Sequence, residues 1–256
     1  MRTYFCLLFF LLGTCLGSFY NVLGMRLPLG KSIIKPKSHC DNCHHELTWL
    51  ELIPIISFFI QKGKCKNCKM KLSLFYPFIE LATGLLFLIS FYSYGFSYDL
   101  IISLTLVSLL MVVTVSDLSY LIIPDSFIVI PSIIIFITKL LETNLTTALI
   151  QLGFGLLSFI LMYLIMLLGN KLFKKESLGG ADIKLMFLVG LTLDPMLSVV
   201  VIFLASIIAL PVSLVLLIKN KEHVIPFGPF IVIGLLIVNF TKLNIIDIFE
   251  KIINLI

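Results

Sequence analysis

The chain alternates long apolar runs with short polar connectors, and only one polar stretch is long. The first apolar run, Tyr4 to Leu23, leads into a polar stretch over residues 24–72. Seven further apolar runs follow, at roughly 75–94, 99–116, 126–141, 147–168, 180–193, 196–218 and 227–243. A helix needs about 20 apolar residues to cross a bilayer. The pattern therefore predicts an all-α, polytopic membrane protein with about eight transmembrane helices and a cytoplasmic loop after the first. The 180–193 run is too short to cross alone, and must borrow residues beyond its ends or begin inside a cavity. The apolar patch from Leu52 to Ile60 is also too short to span, so it packs locally or against the membrane. Residues 244–256 look like a short amphipathic end.

Composition narrows the class. The 256 residues are 59% apolar and 13% charged, with a mean hydropathy of +1.12. Soluble domains run nearer half apolar and a quarter charged, so a soluble monomer could not hide this excess. Disordered, collagen-like and coiled-coil chains are excluded by the dominance of apolar runs. The first run is longer than the ~7–15 apolar residues of a signal peptide, and basic residues follow it; it is read as a retained span.

The net charge of +5 would suit a nucleic-acid partner only if it were spread over a soluble face. Instead, nine of the 19 Lys and Arg residues lie between Arg26 and Lys71. With eight spans and that loop in the cytoplasm, 14 basic residues fall inside and four outside (Arg2, Lys139, Lys242, Lys251), with Lys184 at a span boundary. The positive-inside rule fixes this orientation. The expected partners are membrane lipids, and no nucleic acid.

The loop carries Cys40-Asp-Asn-Cys43, 21 residues, then Cys65-Lys-Asn-Cys68. Two such pairs can supply four thiolates to one tetrahedral zinc, and the flanking lysines favour the thiolate forms. A structural metal would let so short a loop hold one shape without a large core. Paired Cys-x-x-Cys motifs also suit a membrane thiol–disulfide oxidoreductase, but a reducing cytoplasm disfavours stable disulfides. His39, His44 and His45 are expected to be solvated, and Cys6 and Cys15 to be packing residues of the first span.

Only 14 residues are acidic, so those embedded in apolar sequence stand out as costly and functional. The candidates are Glu80, Asp117, Asp125 and Asp182. Asp125 follows Pro124 and opens an apolar run, where an acid suits a helix N-terminus; capping is its expected role. Asp117 sits at the C-terminal end of a span, where the dipole disfavours it. Asp182 follows Gly179, Gly180 and Ala181 and precedes Lys184; a helix start or a function would both explain it. In the eight-span arrangement Asp117 and Asp182 fall at cytoplasmic span ends and can meet. Two carboxylates in a partly dry site share a proton, the arrangement of an aspartic protease.

These segments together resemble the type IV prepilin peptidases over nearly the whole chain. The resemblance rests on Gly17-Ser18-Phe19-Tyr20-Asn21-Val22, Arg26-Leu27-Pro28, Pro36-Lys37-Ser38-His39-Cys40 and Gly63-Lys64-Cys65. It continues through Tyr76-Pro77-Phe78-Ile79-Glu80, Asp117 with Ile123-Pro124-Asp125, the Gly179 to Lys184 stretch, and Pro226-Phe227-Gly228-Pro229. It implies that Asp117 and Asp182 are the catalytic pair, with Gly179, Gly180, Ala181 and Lys184 as motif support. Ala181 stands where the family's Gly-x-Gly-Asp motif has its second glycine, and would be strained if that position needed a positive φ.

The resemblance further implies a multi-pass enzyme of the bacterial cytoplasmic membrane. It would cut short basic leaders from type IV prepilin or pseudopilin precursors, in pilus, secretion or competence systems. The four-cysteine loop goes with the form that also methylates the new N-terminus using S-adenosylmethionine. The chain then divides into residues 1–94, holding the first two spans and the loop, and a peptidase region, 95–256. No Gly-x-Gly-x-x-Gly unit appears, so a cofactor pocket would involve the loop and neighbouring helices, with Glu80 a candidate there or a polar support. The rival readings are a thiol oxidoreductase, a transporter or scaffold with a metal-stabilised loop, and a peptidase without methylation.

Overall fold

Apolar runs of this length form helices because the helix satisfies its own backbone polar groups where water is absent. In the computed structural model, residues 1–174, 179–218 and 226–242 are described. The end over 244–256 lies outside them, as do Lys175, Lys219, Lys221 and Lys251. The helices among the described residues are α1 (Arg2–Arg26), α2 (Ile56–Ile60), α3 (Phe75–Tyr94), α4 (Tyr98–Tyr120) and α5 (Ser126–Glu142). Then come α6 (Leu145–Phe173), α7 (Gly180–Thr192), α8 (Pro195–Ile218) and α9 (Gly228–Thr241). The polar connectors cap them: the Ser97 hydroxyl accepts from the Leu100 N–H at the start of α4, and Asn144 Oδ1 from the Thr147 N–H in α6.

Apart from the single turn and a half of α2, these helices follow the apolar runs in order. Five are long and apolar enough to cross a bilayer, namely α1, α3, α4, α6 and α8. Length and composition alone thus mark five of the expected eight. Helices α5, α7 and α9 have 17, 13 and 14 residues, and α7 and α9 reach only about 20 Å at 1.5 Å per residue. Most of α7 and of α9 is buried against other helices. A helix walled by protein need not match the hydrocarbon thickness.

Helix α4 is the hub, packing against α1, α3, α5 and α9, and Leu106, Val107, Val113 and Val115 along it are fully buried. By contrast α6 and α8 expose leucine, isoleucine and valine along much of their length, as lipid-facing helices must. A close seam joins α1 to α3. A Cβ on Gly17 would lie 2.8 Å from Glu80 Cα, and one on Gly84 2.6 Å from Thr14 Cγ2. Small residues here let two backbones approach, which is how membrane helices gain dispersion contacts when lipid offers no hydrophobic drive. Stacked Phe9 and Phe91, 4.7 Å between centroids, close the far end of the seam.

Gly17→Val drives methyl groups into Glu80 and Thr83, an overpacking that costs about 1–3 kcal/mol. The expected outcome is a lower thermal unfolding midpoint of the detergent-solubilised protein; an unchanged midpoint would contradict the seam.

Candidate active site and metal centre

Helix α4 stops because Leu121 adopts a left-handed conformation, φ 55°, and its N–H bonds to the Asp117 carbonyl at 2.9 Å. That conformation is unfavourable for leucine, and the Ser116 hydroxyl helps hold it by donating to the Ile122 carbonyl. Asp117 therefore sits in the last turn of α4, and it is 6% exposed. Its carboxylate accepts the backbone N–H of Gly228, the first residue of α9. A Cβ at position 228 would lie 2.6 Å from Ile123 Cδ1 and 3.2 Å from Asp117 Oδ2. Glycine is what lets that amide reach the acid. In the sequence nothing marks Gly228 for this role except the two prolines that flank Phe227 and Gly228.

Asp182 lies in the first turn of α7 and is 8% exposed. Its carboxylate reaches back to the N–H of Gly179, the N-cap residue. The helix-start reading of Asp182 is thus satisfied, and so is a second relation: Asp182 lies within range of the charge on Asp117. The structure brings together the end of α4, the start of α7 and the start of α9, with both acids buried between them.

Two expectations change. Gly179 has φ −70°, and neither Gly180 nor Ala181 has a positive φ. The position needs no positive φ, so Ala181 is an ordinary first-turn residue packed against the core and carries no strain. Asp125 occupies the N-cap position of α5 but makes no capping hydrogen bond. Its carboxylate instead meets Lys184 Nζ at 2.5 Å. Asp125 has a helical backbone, φ −59° and ψ −28°, rather than the extended one from which an N-cap side chain reaches the first-turn amides. Both partners are largely exposed, so the pair adds little stability by itself. It stands at an apolar cavity of about 330 Å³ between α5, α6 and α7, walled by Ile128, Val129, Leu156, Phe159 and Phe187.

Glu80, 8% exposed in α3, is committed locally. Its Oε2 accepts the Ile55 N–H at 2.7 Å, and the Ser18 side chain bonds to the same carboxyl. It ties the loop to the α1–α3 seam.

The loop builds the same turn twice. The Cys40 N–H bonds to the His45 carbonyl and the His44 N–H to the Cys40 carbonyl; Cys65, Met70 and Lys69 repeat the pattern. His44 and Lys69 both take positive φ, and antiparallel bridges 39–46 and 64–71 close the two turns. The four Sγ atoms all lie within 4.8 Å of one another, with Cys40–Cys68 at 3.7 Å and Cys43–Cys65 at 3.9 Å. Four sulfurs about 2.3 Å from a tetrahedral metal would be about 3.8 Å apart, so the set fits such an ion. The short contacts run between motifs rather than within them, unlike a Cys-x-x-Cys redox pair. The Cys68 thiol is lowered to about 6 by the Met70 N–H and then the Asn42 side chain. Backbone donors at Cys43 and Asn42 also favour a Cys40 thiolate, but burial and the thiols of Cys65 and Cys68 outweigh them and push it up to about 11. A cation at the centre would relieve that competition. The histidines stay out of the set: His39 Nδ1 pairs with the Lys37 carbonyl and His45 with Glu51.

Two family models match the chain. The Bacterial Peptidase A24 N-terminal domain matches residues 11–94, and the Type IV leader peptidase family matches residues 104–214. A prepilin leader peptidase/N-methyltransferase from Bacillus subtilis (strain 168) is 35% identical over 245 residues, covering 94% of this chain and 96% of the relative. One from Myxococcus xanthus (strain DK1622) is 38% identical over 189 residues, 73% of this chain, and the match spans 55% of that longer relative. A third, from Neisseria gonorrhoeae, is 29% identical over 254 residues, covering 87% and 86% of the two chains. No solved structure matches the chain.

Gly228→Ala forces the α9 amide off Asp117. Any activity that depends on Asp117 should fall about tenfold or more, the effect of some 1.4 kcal/mol of lost positioning. Specific activity measured at equal folded-protein content checks this, and full retention would show that the amide is dispensable.

Proposed function

The chain belongs to the type IV leader peptidase family, and on that premise we propose that it cleaves the short leader from type IV prepilin-like precursors and methylates the new N-terminal residue. The observation that carries the peptidase reading is the meeting of two buried aspartates, Asp117 from the end of α4 and Asp182 from the start of α7. In this reading one of the pair, as carboxylate, takes a proton from water as its oxygen attacks the scissile carbonyl carbon. The other, as acid, donates its proton to the carbonyl oxygen, and the tetrahedral adduct collapses as a proton passes to the leaving amine. The Gly228 and Gly179 amides orient the two carboxyls throughout. The cavity beside Asp125 and Lys184 is the place for the substrate's apolar segment to lie, arriving laterally from the bilayer.

The site faces the cytoplasm of a bacterial inner membrane in this proposal, supported by the crowding of basic residues between Arg26 and Lys71. Basic loop residues repel an equally basic leader, so their partners are anionic lipids. The ion held by Cys40, Cys43, Cys65 and Cys68 is zinc, chosen by four thiolates in a tetrahedral set, and its role is to hold the loop's shape. Residues 1–94 and 95–256 then act as a methylation-associated part and a peptidase part.

The methylation reading is supported by the names of the relatives. S-adenosylmethionine would supply the methyl group, but the described residues do not yet form a site that fits it. Glu80 is occupied by Ile55 and Ser18, and the loop cavity beside Phe58 carries three lysines, which oppose a sulfonium cation. No step is therefore assigned to particular residues.

Cleavage of a prepilin by the wild type and by Asp117→Asn and Asp182→Asn tests the pair. Each variant should lose about 10²-fold or more, with expression and metal content intact; full activity of Asp182→Asn would overturn the assignment. Product mass with and without S-adenosylmethionine should differ by one methyl group, and identical masses would leave a peptidase alone. Elemental analysis should find one zinc per chain, lost together with the loop's protease resistance in Cys43→Ser/Cys68→Ser. Metal-free wild type with redox-dependent thiol titration would favour the oxidoreductase instead.

A further inference from the structure

One surface of the loop remains unexplained by catalysis or by the metal. Between the two cysteine turns the chain forms a short 3-10 turn, Trp49–Leu52, followed by α2. These elements bury no residue. Trp49 is 74% exposed, Phe59 71% and Ile60 74%, with Leu50, Leu52 and Ile56 also open. So much apolar surface on a soluble face would be a liability, and patches of this kind mark an interaction site.

Its placement says what covers it. The Ile55 N–H bonds to Glu80, the sixth residue of α3. Helical side chains lean toward the N-terminus, so this bond holds Ile55 level with the first turn of a membrane span. Exposed Leu74 and Phe78, at the start of α3, continue the patch into the lipid-facing side of that helix. The apolar surface of the loop and that of the span are one surface at bilayer-entry depth.

The charge at its edge is equally specific. Phe58, Phe59 and Leu74 line a cavity of about 330 Å³ together with Lys62, Lys64 and Lys71, with no carboxylate among the lining residues. The antiparallel bridge between Lys64 and Lys71 places two like charges directly opposite each other, a destabilising arrangement in a bare ladder. Among the described residues none of these three lysines joins an ion pair. An anion between them would reverse the sign of that repulsion.

We propose that residues 49–60 are an interfacial membrane anchor whose aromatic and aliphatic side chains enter the headgroup layer, and that Lys62, Lys64 and Lys71 form a site for the phosphate of an anionic lipid. Apolar side chains below and lysines at headgroup level are the two forces that hold interfacial segments, and each basic residue there adds to the attraction for anionic lipid. The inference rests on the chain being embedded in a membrane, and not on the sidedness or the catalytic roles proposed above.

Trp49 is the only tryptophan in the chain, so its fluorescence reads this surface without substitution. The full-length protein is reconstituted into phosphatidylcholine vesicles with and without phosphatidylglycerol, and Trp49 emission is followed with lipids brominated near the headgroup and with aqueous iodide. The expected result is emission shifted to shorter wavelength, quenched by the brominated lipid and shielded from iodide, with a further shift when phosphatidylglycerol is present. The Lys62→Gln/Lys64→Gln/Lys71→Gln protein should lose the phosphatidylglycerol-dependent part, and the corresponding triple arginine variant should keep it. Quenching of Trp49 by iodide with no response to brominated lipid would overturn the anchor. A glutamine variant that still responds to phosphatidylglycerol, or inorganic phosphate reproducing the shift in neutral vesicles, would overturn the lipid-phosphate site. Prepilin cleavage by the same vesicles reports separately on the aspartate pair.

Discussion

A carboxylate buried among apolar helices must be solvated by something other than water, and in this protein that something is the unpaired amide at a helix start. Three acids are buried among the described residues: Glu80, Asp117 and Asp182. Each accepts a backbone N–H from the beginning of a helix: Ile55 at α2, Gly228 at α9 and Gly179 at α7. The first amides of a helix have no partner within it, and they are the helix's positive end. Matching a costly anion to an orphan donor removes two penalties at once. Much of the architecture around the site follows from where those three helix starts have to be.

The matches also explain the lengths and seams. Helices α7 and α9 begin beside the acids they solvate, and both are short, with 13 and 14 residues. The glycines serve the same end by different means. Gly228 clears the space for an amide to reach Asp117, whereas Gly17 and Gly84 let α1 and α3 close together beside Glu80. The loop is then held from two sides, by its four clustered thiols and by the Ile55–Glu80 bond.

Much of this was legible in the sequence because side-chain chemistry leaves a signature there. The order of the helices followed from apolar run lengths, and the thiol cluster from two Cys-x-x-Cys pairs. The contrast between Asp117 and Asp125 followed from the adverse end of a helix dipole, and the first is buried while the second is largely exposed. What escaped notice was carried by backbone. The N–H of Ile55 or Gly228 looks like any other amide in a sequence, so neither partner could be assigned. The Asp125–Lys184 pair was hidden because its two members are remote in the chain and Asp125 had a sufficient local explanation as a cap. The number of spans is not settled by run length for a related reason: it says how far a helix can reach, but not whether lipid or protein surrounds it.

The Asp117–Gly228 contact has a consequence for how the protein is made. A membrane protein enters the bilayer in chain order, and Asp117 arrives with α4 while its amide arrives with α9, the last helix described. Until then the acid lacks the donor that orients it. The contact on which its orientation rests therefore forms only when α9 is in place.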